Sequence, residues 1–385
     1  MNNFKKIAIF ILSLCFFSCD SIFDNTKEPN YGKLYVALQG MGNRVALLSA
    51  DDLELIEMVD ISLSNENNVM EMPHYITVDE QQKLWFVTTM GSRSVGMFST
   101  ETNTLIDYLS LESSPALLEI DTNSNLLYVS RMPNTDLLGN GMIMGSSSSV
   151  IDIISYSPNG MILSGFYDTS LQSPHAISIN LLDNNIISAS LTYDFLSKID
   201  LASQTVSNFS LDSSVNPDPV LEMNRLKPIE IIQTDNYAFV NCLGGVWQSE
   251  HINGQVQMWG INPLKKISEF QFSSDSNPWH LVSDPINESI YVVLSGYLDG
   301  SGGKSGIVKL RYDDTNLQLV WENIDSDMNL LHGVDISENG NFIYVSSRDG
   351  RIFKFDSHDG SLLNVKDLST NLFPYPAPGG IKYTN

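Results

Sequence analysis

Basic residues are scarce in this chain. Its 385 residues include 21 lysines and arginines against 45 aspartates and glutamates, a formal net charge of −24. So acidic a surface repels phosphate backbones and argues against nucleic acid as a partner. Cysteine is rarer still, with only Cys15, Cys19 and Cys242. Cys242 stands alone in the body of the chain, so no internal disulfide can staple it and an apolar core must hold the fold. A hydrophobic content of 42% can supply that core. No apolar run approaches the roughly 20 residues of a membrane-spanning helix. Catalytic signatures are also missing, with no G-x-S-x-G elbow and no H-E-x-x-H. The glycine-rich stretch SGYLDGSGGKSG (295–306) has neither the order of a phosphate-binding loop nor the alternating oxygen ligands of a calcium loop.

What is present begins with an address. Lys5 and Lys6 precede an apolar run over residues 7–17, followed by Phe16-Phe17-Ser18-Cys19. A short positive segment before about ten apolar residues is a signal-peptide pattern. The end of the run resembles a bacterial lipobox, with Phe16 where leucine is usual, and implies cleavage before a lipidated Cys19. The expected organisation is a leader over 1–18, a lipidated cysteine and polar tether over 19–31, and a folded body over 32–385. Each buried acyl methylene contributes about 0.8 kcal/mol, so a multiply acylated Cys19 would anchor the protein to a membrane of the cell envelope, on the periplasmic or outer surface.

The body repeats itself. Residues 72–111, MPHYITVDEQQKLWFVTTMGSRSVGMFSTETNTLIDYLSL, contain four short apolar or alternating runs separated by polar turns. Four strands of about five residues in forty is the size of one propeller blade. The pattern returns from Pro115, Pro174, Pro228, Pro278 and Leu331. Residues 33–63 supply three strands without a first, and the C-terminal APGGIKYTN supplies a first strand without the rest. Joined, they make a seventh blade, which removes the long unpaired edge that such sheets otherwise expose. The predicted fold is therefore an all-β, seven-bladed propeller closed by its two termini.

Within the repeats stand Tyr35-Val36-Ala37, Tyr128-Val129-Ser130, Tyr291-Val292-Val293 and Tyr344-Val345-Ser346, with looser versions at Phe86-Val87-Thr88 and Phe239-Val240-Asn241. These resemble the YVTN-type seven-bladed repeat family over residues 33–385. Surface-layer proteins, amine dehydrogenase subunits, the haem d1 domain of nitrite reductase and streptogramin lyase share that architecture, so the resemblance implies a fold and no single function.

One mouth of the channel collects the distinctive residues. First-strand starts and second-to-third-strand loops share it, and so do the insertions at 132–148, 243–253 and 295–305. His74, His175 and His332 occupy one repeat-equivalent position, and His280 lies one residue beyond it. Three converging imidazoles (His74, His175 and His332) are a candidate site for a transition metal, and all four rings could orient an organic ligand. Arg44, Arg93, Arg131 and Arg348 fall near the same rim, where each could grip an anionic ligand or pair with a nearby acid such as Asp349 or Glu71. Trp247 and Trp279 could stack on a ligand, whereas Trp85, Trp259 and Trp321 belong to strands. The expected role is an envelope lipoprotein whose propeller binds a small anionic ligand or a protein partner at this mouth. The alternatives are a metal-dependent lyase or hydrolase using the histidines, and a docking subunit for a redox enzyme.

Overall fold

The computed structural model describes residues 32–385 except 41, 65–68, 133–134, 138–141, 145–147, 213–224, 248 and 371–374. The leader, Cys19 and the tether lie outside the described residues, as does much of the 132–148 insertion. Seven four-stranded antiparallel sheets are arranged in a ring. Their innermost strands are Pro73–Asp79, Pro115–Asp121, Pro174–Asn180, Pro228–Gln233, Pro278–Asp284, Leu331–Ile336 and Pro378–Thr384, in blades 1 to 7. Two short hairpins add to these, one of them Gly245–Trp247 with Glu250–Ile252 in the 243–253 insertion. The chain is a seven-bladed β-propeller.

Closure follows the expected route. Pro378–Thr384 pairs with Lys33–Leu38, with Val36 opposite Ile381 and Tyr35 opposite Lys382, in the sheet that also holds Arg44–Ser49 and Leu55–Asp60. The core lies between blades, where one face of each sheet packs on the next. Ala176, Ile187 and Leu196 of blade 3, for example, meet Ile231, Ala238 and Val240 of blade 4.

Local chemistry sets the strand boundaries. Away from the mouth, inner strands end in a side-chain-capped turn: Asp79 Oδ1 accepts from the amides of Gln81 and Gln82, and Asp121 and Asn180 do the same in their blades. Toward the mouth, the residue before the inner strand adopts a left-handed φ at Met72, Ser173, Lys227, Asn277, Leu330 and Ala377. None is glycine, and such a φ is uncommon without it. Just after that turn, the pairing of the inner strand slips by a β-bulge in every blade, for instance between Pro73 and Ile76 and between Leu331 and Val334. Bulges re-aim side chains, and these coincide with the histidine positions.

The repeat motif explains how the bulges are held. Its third residue links two blades. Thr88 Oγ1 accepts from Tyr75 N of its own bulge and donates to Ala116 O of the next blade at 2.8 Å. Ser130 accepts from Leu117 N and donates to His175 O at 2.6 Å, and Ser346 joins Gly333 N to Gly379 O. Asn241 reaches Trp279 O at 2.8 Å. The tyrosine or phenylalanine and the valine of the motif fill the core, while the small polar residue fixes the mouth.

Candidate functional site

The four histidines meet at the mouth, each no more than 5% exposed. The rings of His74 and His175 are 6.0 Å apart, His74 and His332 6.2 Å, and His280 and His332 4.9 Å. His280 lies one position later in sequence, with Trp279 at the position that histidine holds in blades 1, 3 and 6. Small residues separate these blades: Ala116 lies between His74 and His175, and Gly379 and Gly380 lie between His332 and His74. A Cβ on Gly379 would come within 2.3 Å of the Gln39 amide, and one on Gly380 within 2.7 Å of His74 O. Burial, reinforced by neighbouring imidazoles and Arg348, holds His74 and His332 well below the ordinary histidine pKa, and burial lowers His175 to about 4. These three rings are neutral at pH 7.

The hydrogen-bond partners assign the tautomers. An Arg348 amine donates to Gln39 Oε1 at 3.0 Å, which leaves Gln39 Nε2 to donate to His74 Nδ1 at 2.6 Å. His74 must then carry its hydrogen on Nε2. The same guanidinium faces His332 Nε2 at 3.2 Å, so His332 carries its hydrogen on Nδ1. His175 Nδ1 donates to Ile229 O at 2.9 Å. His280 Nδ1 lies against Glu230 Oε2. Among the described residues His74 Nε2, His332 Nδ1, His280 Nε2, Trp279 Nε1 and Arg348 Nε are buried and find no hydrogen-bond partner. Such concentrated unsatisfied polarity marks a place where something else belongs.

The arginines divide sharply. Arg131 is buried and forms two 2.6 Å hydrogen bonds to Asp152, so its fork is already occupied. Arg44 bonds Asp60 at 2.8 Å. Arg93 sits half-buried in the turn before its strand with a φ of 56°. Glu71 accepts from the amides of Leu63 and Ser64, and Asp349 turns to Arg351 at 3.0 Å, so neither serves Arg348. Among the described residues no carboxylate pairs with Arg348. Burial alone lowers its pKa to about 10, and its guanidinium lies 5.4 Å from the Trp279 ring. Trp247 falls in the insertion hairpin, and its side chain lies outside the described residues.

The metal expectation meets a physical objection. Among the described residues no group of three or more histidine, cysteine, aspartate or glutamate side chains is placed to hold a metal ion. Gln39 and Arg348 take up one lone pair each on His74 and His332, and a nearby guanidinium repels a cation.

Further along the same strands are residues that sequence reasoning missed. The Tyr75 ring stacks on His280 at 6.5 Å, and Lys382 pairs with Asp335 at 3.1 Å. The half-buried Glu119 is pushed up to about 8 by burial and by the charge of Glu230, against the opposing pull of Lys382. An unfolded glutamate releases its proton near 4.5, so between that pH and 8 the folded protein holds a proton that the unfolded chain has lost. Stability contributed here falls as pH climbs through that window. Glu119→Gln should therefore stabilise the protein by about 1–3 kcal/mol at pH 8 and leave it unchanged at pH 4. Urea midpoints at the two pH values check this; an equal midpoint at pH 8 would contradict it.

No family model matches the chain, and no curated protein matches it in sequence. Solved structures do. A functionally unknown protein from Desulfotomaculum acetoxidans shares 13% identity and a TM-score of 0.64, covering 92% of this chain and 99% of its own. The periplasmic gluconolactonase of Pseudomonas aeruginosa shares 12% identity and a TM-score of 0.64, covering 92% and 99%. A candidate 6-phosphogluconolactonase from Bacteroides fragilis shares 14% identity and a TM-score of 0.64, covering 94% and 100%. At such identities the likeness carries the propeller fold alone.

Proposed function

We propose that this chain is an envelope-anchored binding module that takes a small carboxylate-bearing ligand at the histidine mouth of its propeller. One observation carries the reading: a largely buried guanidinium, Arg348, without a carboxylate partner among the described residues, beside unpaired donors. Burying a charge is costly unless it is paired, so the site gains most from an anion. The tautomers set out above turn His74 Nε2–H and His332 Nδ1–H into donors, and Trp279 Nε1–H and Arg348 Nε–H join them. Together they offer an anion four donors beside neutral imidazoles. The strands that carry these groups are rigid and bonded from blade to blade, which lowers the ordering cost of binding. The signal-like segment and Cys19 supply the envelope address.

Titration with simple carboxylates, followed by the fluorescence of Trp279 against a Trp279→Phe control, tests this reading. Binding that weakens at least about tenfold in Arg348→Gln is the expected result. Carboxylates that leave the emission unchanged, or that bind Arg348→Gln equally well, would overturn it.

A further inference from the structure

The mouth has a floor, and it is made by blades that are not neighbours. Tyr75 belongs to blade 1 and His280 to blade 5, yet their rings lie 6.5 Å apart and within 23° of parallel. Blades 6 and 7 stand between them on one side and blades 2, 3 and 4 on the other, so the two side chains meet across the channel. Blades 3, 6 and 7 carry Ala176, Gly333 and Gly380 where blade 1 carries Tyr75, which leaves room for the large ring. A Cβ on Gly380 would stand 3.0 Å from Tyr75 Cα and 3.3 Å from its ring. The base of the side chain is held too, since Tyr75 N donates to Thr88 Oγ1 at 3.1 Å. Carboxylates lie beyond the ring. Burial and the charges of Glu230, Glu119 and Asp335, on blades 4, 2 and 6, raise the Tyr75 hydroxyl well above the ordinary tyrosine pKa. Glu119 and Asp335 follow Ala116 and His332 by three residues along their strands, about 10 Å deeper in the channel. Tyr75 and His280 thus stand between the donors of the mouth and an acidic stretch below.

We propose that Tyr75 sets the size of the ligand: with His280 it floors the anion site, which takes a short-chain carboxylate and refuses a longer one. This rests on the anion-site reading and adds a size limit to it. The carboxylate meets Arg348, Trp279, His74 and His332 at the level of the histidines, one residue above Tyr75, so its chain soon reaches the two rings. Close packing enforces the limit, because a well-packed interior takes up an added methylene only with strain. Removing the ring leaves a cavity of its own size near the channel axis, which a longer apolar chain can fill.

Calorimetric titrations of the whole protein with acetate, butyrate and hexanoate test the floor. The wild type should bind hexanoate no more tightly than acetate. Tyr75→Ala should bind hexanoate at least about tenfold more tightly than acetate, since each added methylene then finds apolar cover. The ratio of the two affinities within one variant carries the result, so a general loss of affinity leaves it readable. Tyr75→Phe keeps the ring and should keep the wild-type order. If Tyr75→Ala does not fold, Tyr75→Val shortens the side chain with less loss of packing and should shift the ratio in the same direction. Acetate that binds while the shortened variant ranks the acids as the wild type does would overturn the floor and leave the anion site standing. A wild type that already prefers hexanoate about tenfold would do the same. Absence of binding by all three acids would remove both.

Discussion

A chain ending at Pro376 should lose cooperative folding. Pro378–Thr384 is the innermost strand of blade 7 and the sole partner of Lys33–Leu38 on the channel side. Without it the ring opens, the inner edge of blade 7 stands unpaired, and blades 1 and 6 lose the neighbour between them. Ile381, 5% exposed against Leu34, Val36 and Tyr344, goes with it. The loss should match the whole net stability of a domain, about 5–15 kcal/mol, because the closing strand serves three blades at once. Thermal unfolding of the truncated chain checks this, and adding residues 376–385 as a separate peptide should restore a cooperative transition. A truncated chain that melts like the full one would show that the ring does not need its clasp.

Asp152→Ala should cost about 3–5 kcal/mol, since it strands the Arg131 guanidinium in the protein interior with no partner of equal strength. Arg131 is 3% exposed and Asp152 1%, so water cannot replace the lost bonds. Exchanging both for apolar residues, Arg131→Met with Asp152→Leu, should recover most of the loss, because the desolvation of two charges disappears with their attraction. Denaturant midpoints of the two single variants and the double variant measure the coupling. A loss below about 1 kcal/mol for Asp152→Ala would place the pair among weak surface bridges.

These two arginines show where sequence reading reaches its limit. Arg131 ends a second strand and Arg348 follows one, and their local patterns, YVSRMP and SSRDG, are alike. What separates them is a residue in a different strand. The register that sets Asp152 opposite Val129 brings its carboxylate beneath Arg131. In blade 6 the nearest acid, Asp349, turns to Arg351 instead. Partner choice of this kind is tertiary and leaves no mark in local spacing.

The blade count was legible because strand length and turn chemistry repeat, and the closure because three strands at one end lack the first that the other end supplies. The histidine positions were legible from the same repeat. His280 stands one residue beyond that position, and because the bulge is the same in every blade, local spacing gave no sign that its ring lies 4.9 Å from His332. Gln39 went unnoticed because it follows the first strand of the chain, yet it links Arg348 to His74 across the closure. Tyr75, Glu119 and Glu230 had a usable signal. They are bulky or acidic where the corresponding positions of other blades carry Ala176, Gly333 or Ser178. Large or ionisable residues at inner-strand positions face the channel, and a polar residue placed there costs stability unless it is used.

The account turns on a guanidinium that no carboxylate among the described residues pairs, set among neutral imidazoles. An experimental structure of the protein soaked with a carboxylate tests it most directly. Carboxylate density within hydrogen-bonding distance of Arg348 and the indole nitrogen of Trp279 is the expected result. An Arg348 already paired with an acidic side chain, with the soaked ligand bound elsewhere, would contradict it.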